Sequence, residues 1–208
     1  ICGNWIKRRE RSEFGCLMDM IQTIALSAGL AWASGLRLYL VVFLAGVLSY
    51  FGYLQLPTSL AMLQNPLVIG AAGLMAFAEL IADKIPAFDS LWDSFQTFIR
   101  IPAGALLAAF AMGEVDPAWT LAAGLIGGTI TAGTHFAKAG SRLAINTSPE
   151  PFSNWLASFC EEGMLLAGLW TMLASPAIFL GLLVVFMVIA GFVLVKLWGF
   201  VGRLVRRV

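Results

Sequence analysis

The chain has 208 residues, of which 60% are hydrophobic and 12% charged; its mean hydropathy is +0.86 and its formal net charge +1. Soluble domains carry roughly a quarter charged residues, so these totals exclude an ordinary water-soluble domain and point to a protein dissolved in a bilayer. The charges are localised rather than spread over a face, which leaves no footprint for nucleic acid, and Cys2, Cys16 and Cys160 lack the spacing of a disulfide framework or a metal site.

Residues 1–19 read as a basic cytoplasmic segment (Lys7, Arg8, Arg9, Arg11) ahead of an uncleaved first span. Met20 to Leu54 is apolar apart from Gln22 and Arg37, too long for one straight crossing of about 20 residues. The small residues Ser27-Ala28-Gly29 and Ser34-Gly35 predict a break, with Leu36 to Leu54 as the main span and a tilted or half-inserted segment before it. Asn65-Pro66 opens a second span to about Asp83, Pro at a helix start costing no hydrogen bond. Pro86 then breaks the chain. Phe88 to Met112 forms a third span, amphipathic in its first half: Leu91, Trp92, Phe95, Phe98 and Ile99 make one stripe, and Asp89, Asp93, Gln96 and Arg100 another. Span four runs from Ala118 to about Ala137, a polar linker covers 138–154, span five runs from about Trp155 to Leu173, and span six from Ala177 to about Phe200.

With six spans, the loops at 55–65, 113–117 and 174–176 lie on one side and contain no Lys or Arg. The basic residues fall on the other side, which makes both termini cytoplasmic in a bacterial inner membrane. Splitting 20–54 into two full crossings would separate the N- and C-terminal basic clusters, and is disfavoured on that ground. An internal repeat follows from two offsets. Asn65-Pro66 with Ala71–Leu74 matches Asp116-Pro117 with Ala122–Leu125, and Phe88–Phe95 matches Phe152–Phe159. The units, about 65–112 and 116–174, hold two spans each and so share one orientation, a parallel repeat flanked by spans at 20–54 and 177–201.

The chemistry-bearing residues gather at the span ends of these units. Glu79 and Asp83 close the first unit's leading span; His135, Lys138 and Arg142 close the second's. Ser90, Ser94 and Thr97 correspond to Asn154, Ser158 and Glu161. Ionisable groups at membrane depth are costly and mark function or a paired cluster. Two readings stay open. In one, Glu79, Asp83, Asp89, Asp93 and Gln96, with Asn154, Ser158, Glu161 and Glu162, bind a proton or hard cation. In the other the cluster is structural, its acids neutralised by Lys84, Arg100, Lys138 and Arg142. Arg37, inside the first span, is expected to pair with Glu161, Glu162 or Asp93, and His135, without a partner at ligand spacing, to be a satisfied interfacial residue. Nucleophile elbow, phosphate loop and zinc motif are all absent, so neither an enzyme nor a cofactor is expected.

The run Glu79…Asp83-Lys84…Pro86…Asp89…Asp93…Gln96…Arg100, followed by His135…Lys138…Arg142…Asn146 and Asn154…Ser158…Glu161-Glu162, resembles a family of bacterial inner-membrane proteins known as a domain of unknown function. The likeness covers roughly residues 20–175; the family pattern has Asn where this chain has Arg37. Glu79…Asp83-Lys84 also looks loosely like a cation-exporter signature. Together these observations predict an all-α polytopic membrane protein of about six transmembrane helices. Its expected role is a small transporter or ion-coupled carrier; the alternative is a non-catalytic scaffold or subunit of a larger membrane complex, in either case with the lipid bilayer as partner and room for homo-oligomers.

Overall fold

A computed structural model describes residues 3–85, 88–145 and 151–205; the side chains of residues 3–16, 89, 90, 144, 151, 154 and 197–205 lie outside the described set. Among the described residues the chain forms α1 (Gly3–Tyr50), a 3-10 helix (Thr58–Gln64), α2 (Pro66–Ala82), α3 (Phe88–Ala111), α4 (Pro117–Ile145), α5 (Pro151–Ala174) and α6 (Pro176–Val205), and no strand. Local chemistry sets several boundaries. The Asn65 side chain accepts from the Leu67 amide at 2.9 Å, and Asp116 Oδ1 accepts from the Ala118 amide at 2.8 Å. Each thereby caps a helix that begins with proline. Helix α4 continues past the expected Ala137 to Ile145, because nothing in Lys138–Ile145 breaks a helix, and so carries Lys138 and Arg142 on its last turns. Pro102 sits inside α3 without ending it.

Helix α1 departs most from expectation. Its backbone leaves helical geometry at one residue, Arg37 (φ −149°, ψ 86°). Contacts on either side show that the chain turns back there. Ser27 Oγ donates to the Ala108 carbonyl at 2.8 Å, beside the end of α3, and Trp32 packs edge-on to Phe179 near the start of α6. Gly35 then meets α4 at Thr131 and Thr134. Beyond the break, Phe43 lies against Gly73 and Gly46 against Leu63 and Ile69; at the end of the arm Ser49 Oγ accepts from Gln64 Nε2 at 2.8 Å. The 3-10 helix is at the same end of the bundle as Ala108, since Ser59 Oγ donates to the Phe110 carbonyl at 2.5 Å. Residues 27 and 49 therefore share one end, and Arg37 lies toward the other. The expected main span Leu36–Leu54 is replaced by two arms, up to residue 36 and 38–50. The descending arm enters at the end of the bundle opposite to that reached by the described part of α6. Of the two places where small residues predicted a break, Ser34-Gly35 lies two to three residues before Arg37 and Ser27-Ala28-Gly29 eight to ten.

The arms pack among α2 to α6 and supply much of the apolar core, including Leu30, Trp32, Leu36 and Val41. Close helix approach needs small residues. A Cβ on Gly35 would meet the Thr131 carbonyl oxygen at 2.7 Å, and one on Gly104 would run into the Thr131 side chain. The outer faces are apolar. On α3, Phe98 is 82% exposed whereas Arg100 is fully buried, so the amphipathic helix turns its charged stripe inward and its aromatic stripe outward. That polarity suits hydrocarbon surroundings. Among the described residues three helices are, by length and composition, able to cross a membrane: Leu17–Tyr50 if taken as one across its break, Leu91–Ala111 and Pro176–Lys196. The 3-10 helix and α2, bent by 68° at Asn65, make a fourth if taken together. Helices α4 and α5 are long enough but interrupted by polar residues.

The reversal at Arg37 predicts a labelling pattern. With the native cysteines replaced, Ile24→Cys and Tyr50→Cys, both exposed, will react with a membrane-impermeant thiol reagent from the same face of sealed vesicles. A straight first helix would place them on opposite faces.

Candidate functional site

Breaking a helix leaves the carbonyls of its last turn without intrahelical donors. Here two cations from other helices reach them. Arg100 Nη1, on α3, lies 3.4 Å from the Leu36 carbonyl oxygen and 3.5 Å from that of Gly35. Lys138 Nζ, on α4, donates to the Leu36 carbonyl at 3.2 Å. The negative end of the descending arm's dipole favours both charges.

The cations are in turn held by acids. Arg100 Nη2 meets Glu79 Oε1 at 2.6 Å and its Nη1 meets Asp93 Oδ1 at 3.3 Å. Lys138 Nζ is 3.2 Å from Asp83 Oδ2, 3.7 Å from Asp93 Oδ1 and 3.8 Å from Glu161 Oε2. Arg142 grips Glu161 with both Nε and Nη2 at 2.9 Å, the planar two-point geometry that only arginine offers a carboxylate. Its Nη1 also donates to the Asp83 carbonyl at 3.1 Å, tying α4 to the end of α2. At the apex of α1, Arg37 Nη2 reaches Asp83 Oδ2 at 2.9 Å, Ser158 Oγ at 3.0 Å and Glu162 Oε1 at 3.3 Å. Asp83 is thus shared by Arg37, Lys138 and, at 3.9 Å, Arg142.

His135 completes the inner edge. Arg100 Nη1 stands 3.1 Å from its Nδ1, and Thr97 Oγ1 is 2.6 Å from its Nε2 while donating to the Asp93 carbonyl at 2.9 Å. Arginine cannot accept, so Nδ1 is the acceptor and the ring proton sits on Nε2, donating to Thr97. The imidazole is a satisfied neutral group, as expected from the sequence. Tyr39 Oη donates to Gln96 Oε1 at 3.3 Å, linking the ascending arm to α3.

The site therefore gathers Glu79, Asp83, Asp93, Gln96, Ser158, Glu161 and Glu162 with Arg37, Arg100, His135, Lys138 and Arg142. Two expectations are corrected. Of the partners expected for Arg37 it meets Glu162 but not Glu161 or Asp93, and it adds Asp83, because the reversal of α1 carries it to the end of α2. Lys84 stands apart, its ammonium 5.7 Å from the Phe159 ring centroid. The side chains of Asp89 and Asn154, both expected site residues, lie outside the described set, as does Asn146. The backbone carbonyls of Gly35 and Leu36 and the hydroxyl of Tyr39 are participants that sequence reasoning missed; the pair Ser34-Gly35 was their only signal.

Four buried cations face four buried carboxylates (Glu79, Asp83, Asp93 and Glu161), with Glu162 at the rim, its side chain 24% exposed. The match is incomplete at the level of atoms. Glu79 Oε2, Asp83 Oδ1, Asp93 Oδ2 and the Nε atoms of Arg37 and Arg100 have no hydrogen-bond partner. Among the described residues no three His, Cys, Asp or Glu groups converge as a metal site. An apolar groove of about 430 Å³ opens beside the network, between α2 and α3 over the ascending arm, with Tyr39, Val42, Val68, Met75 and Leu107 in its walls.

Removing one partner of a buried pair strands the other charge. Arg142→Met will destabilise the protein by about 3–5 kcal/mol, whereas Arg142→Met with Glu161→Met will recover most of that loss. Unfolding measurements on the two single variants and the double variant, read as a cycle, check this.

Comparison with curated proteins and with solved structures found no match. Comparison with protein families did: one family model covers residues 24–196, from the descending arm into the second half of α6. The chain belongs to the family described as Domain of unknown function (DUF4126).

Proposed function

We propose that this protein is a small, non-catalytic membrane carrier, coupled to a proton or small cation, in which the ion-pair network at the α1 reversal forms the gate. One observation carries the reading: a helix broken inside the bundle, its freed carbonyls held by Arg100 and Lys138, themselves bound to carboxylates of α2, α3 and α5. Discontinuous helices whose unwound carbonyls meet charged groups near the bilayer midplane are the recurring architecture of ion-coupled carriers. The ascending arm, 38–50, is about 20 Å long at 1.5 Å per residue, so Arg37 lies well inside a hydrocarbon layer of about 30 Å.

The carrier reading goes with six or more crossings and two parallel units. The matching caps at Asn65-Pro66 and Asp116-Pro117 support the repeat. The connections 51–57, 112–116 and 175 carry no Lys or Arg, whereas Lys84 and, late in α6, Lys196 lie at the network end. By the positive-inside rule these connections support the network end as the cytoplasmic face of a bacterial inner membrane, with the basic segment at 7–11 counting for the opposite end.

A second reading, a membrane scaffold or complex subunit, is favoured by the balance of four buried cations with four buried carboxylates. Such a network clamps five helices together and needs no substrate. Proteoliposome flux separates the two. Under the carrier reading, wild type moves protons or a small cation, Asp93→Asn cuts the flux by about tenfold or more, equivalent to at least 1.4 kcal/mol in a barrier, and Lys84→Gln leaves it unchanged. A folded wild type without flux, or an Asp93→Asn variant as active as wild type, rejects the carrier.

A further inference from the structure

We infer that the ammonium of Lys138 fills a monovalent-cation site, so that this chain carries covalently a cation that it would otherwise take from solution. Four oxygens from four helices surround Nζ: the Leu36 carbonyl at 3.2 Å, Asp83 Oδ2 at 3.2 Å, Asp93 Oδ1 at 3.7 Å and Glu161 Oε2 at 3.8 Å. The Lys138 side chain is fully buried there. A carbonyl at a broken helix end together with carboxylates is the donor set that holds monovalent cations in membrane carriers. Lysine presents a compact point charge on a flexible stem, the side chain closest to a free cation.

A further observation fits a cation site rather than an ordinary ion pair. The second oxygens of two of the same carboxylates, Asp83 Oδ1 and Asp93 Oδ2, have no hydrogen-bond partner although they are buried. The other cations cannot substitute for Lys138. Arg37 and Arg142 share Asp83, Arg142 grips Glu161, and Arg100 is committed to Glu79 and Asp93. Removing the ammonium leaves one uncompensated negative charge in a cage of its size.

The inference deepens the carrier reading by naming the resident coupling charge, and rests on it only for that use; the site itself is tested without transport. Wild type, Lys138→Ala and Lys138→Ala/Asp93→Asn are purified in detergent. Thermal unfolding is followed in potassium, ammonium, sodium and choline chloride at constant ionic strength. Wild type will unfold at one temperature in all four salts. Lys138→Ala will unfold higher in potassium or ammonium than in choline, by about 4 °C at ten times the dissociation constant. The double variant, with a cage carboxylate neutralised, will lose that response. Equal transitions in choline and in the small cations overturn the site, as does an undiminished response in the double variant. A Lys138→Ala protein that folds in none of the salts also overturns it, because a free cation should replace the lost ammonium. A positive result with no flux in wild type keeps the site and rejects the carrier.

Discussion

Turning a helix back on itself inside a bilayer frees backbone carbonyls where no water reaches them, and each costs several kcal/mol if left bare. Much of the polar architecture follows from that constraint at Arg37. The carbonyls of Gly35 and Leu36 draw in Arg100 and Lys138. Buried cations need anions, and Glu79, Asp83 and Asp93 supply them from α2 and α3. The shared Asp83 and the α5 acids then engage Arg37 and Arg142. A single non-helical residue thereby fixes how four neighbouring helices stand around α1.

This arrangement inverts the solvent logic of a water-soluble bundle. Helix α3 buries Asp93, Gln96 and Arg100 and turns Leu91, Phe95 and Phe98 outward. In hydrocarbon the apolar stripe gains nothing by burial, so packing relies on close backbone approach and on polar groups as specific contacts. Gly35, Gly104 and Thr131 provide the first, where α1, α3 and α4 meet. Thr131 Oγ1 also lies 2.8 Å from both the Ala31 and the Gly127 carbonyl oxygens, linking the descending arm to α4 six residues before the break.

Buried ion pairs contribute little net stability relative to apolar packing, yet are costly to break singly. A network of this kind is therefore poorly explained as a source of stability alone. It behaves as a lock with one geometry: charges are balanced, while several oxygens remain without donors. Those oxygens cluster on Glu79, Asp83 and Asp93, the acids that touch Arg100 and Lys138.

The sequence by itself determined the membrane class, the family resemblance and most helix limits, because these depend on local chemistry: apolar run length, and Asn65-Pro66 and Asp116-Pro117 as helix starts. It also marked nearly every member of the network, since charges spaced at helical intervals in an apolar chain stand out, and it paired the acidic end of α2 with the basic end of α4. Tertiary structure alone decided the direction of the first helix. Residues on both sides of Arg37 are apolar, with no proline or polar loop between them, and hydropathy has magnitude but no direction. The same reversal decided Arg37's partners and recruited the carbonyls of Gly35 and Leu36, which carry no side-chain signature. Lys84 shows the converse: its charge suggested membership, but its place beyond the end of α2 sets it against Phe159 instead. Which charges meet depends on contacts between residues far apart in the chain, and those contacts exist only once the helices have packed.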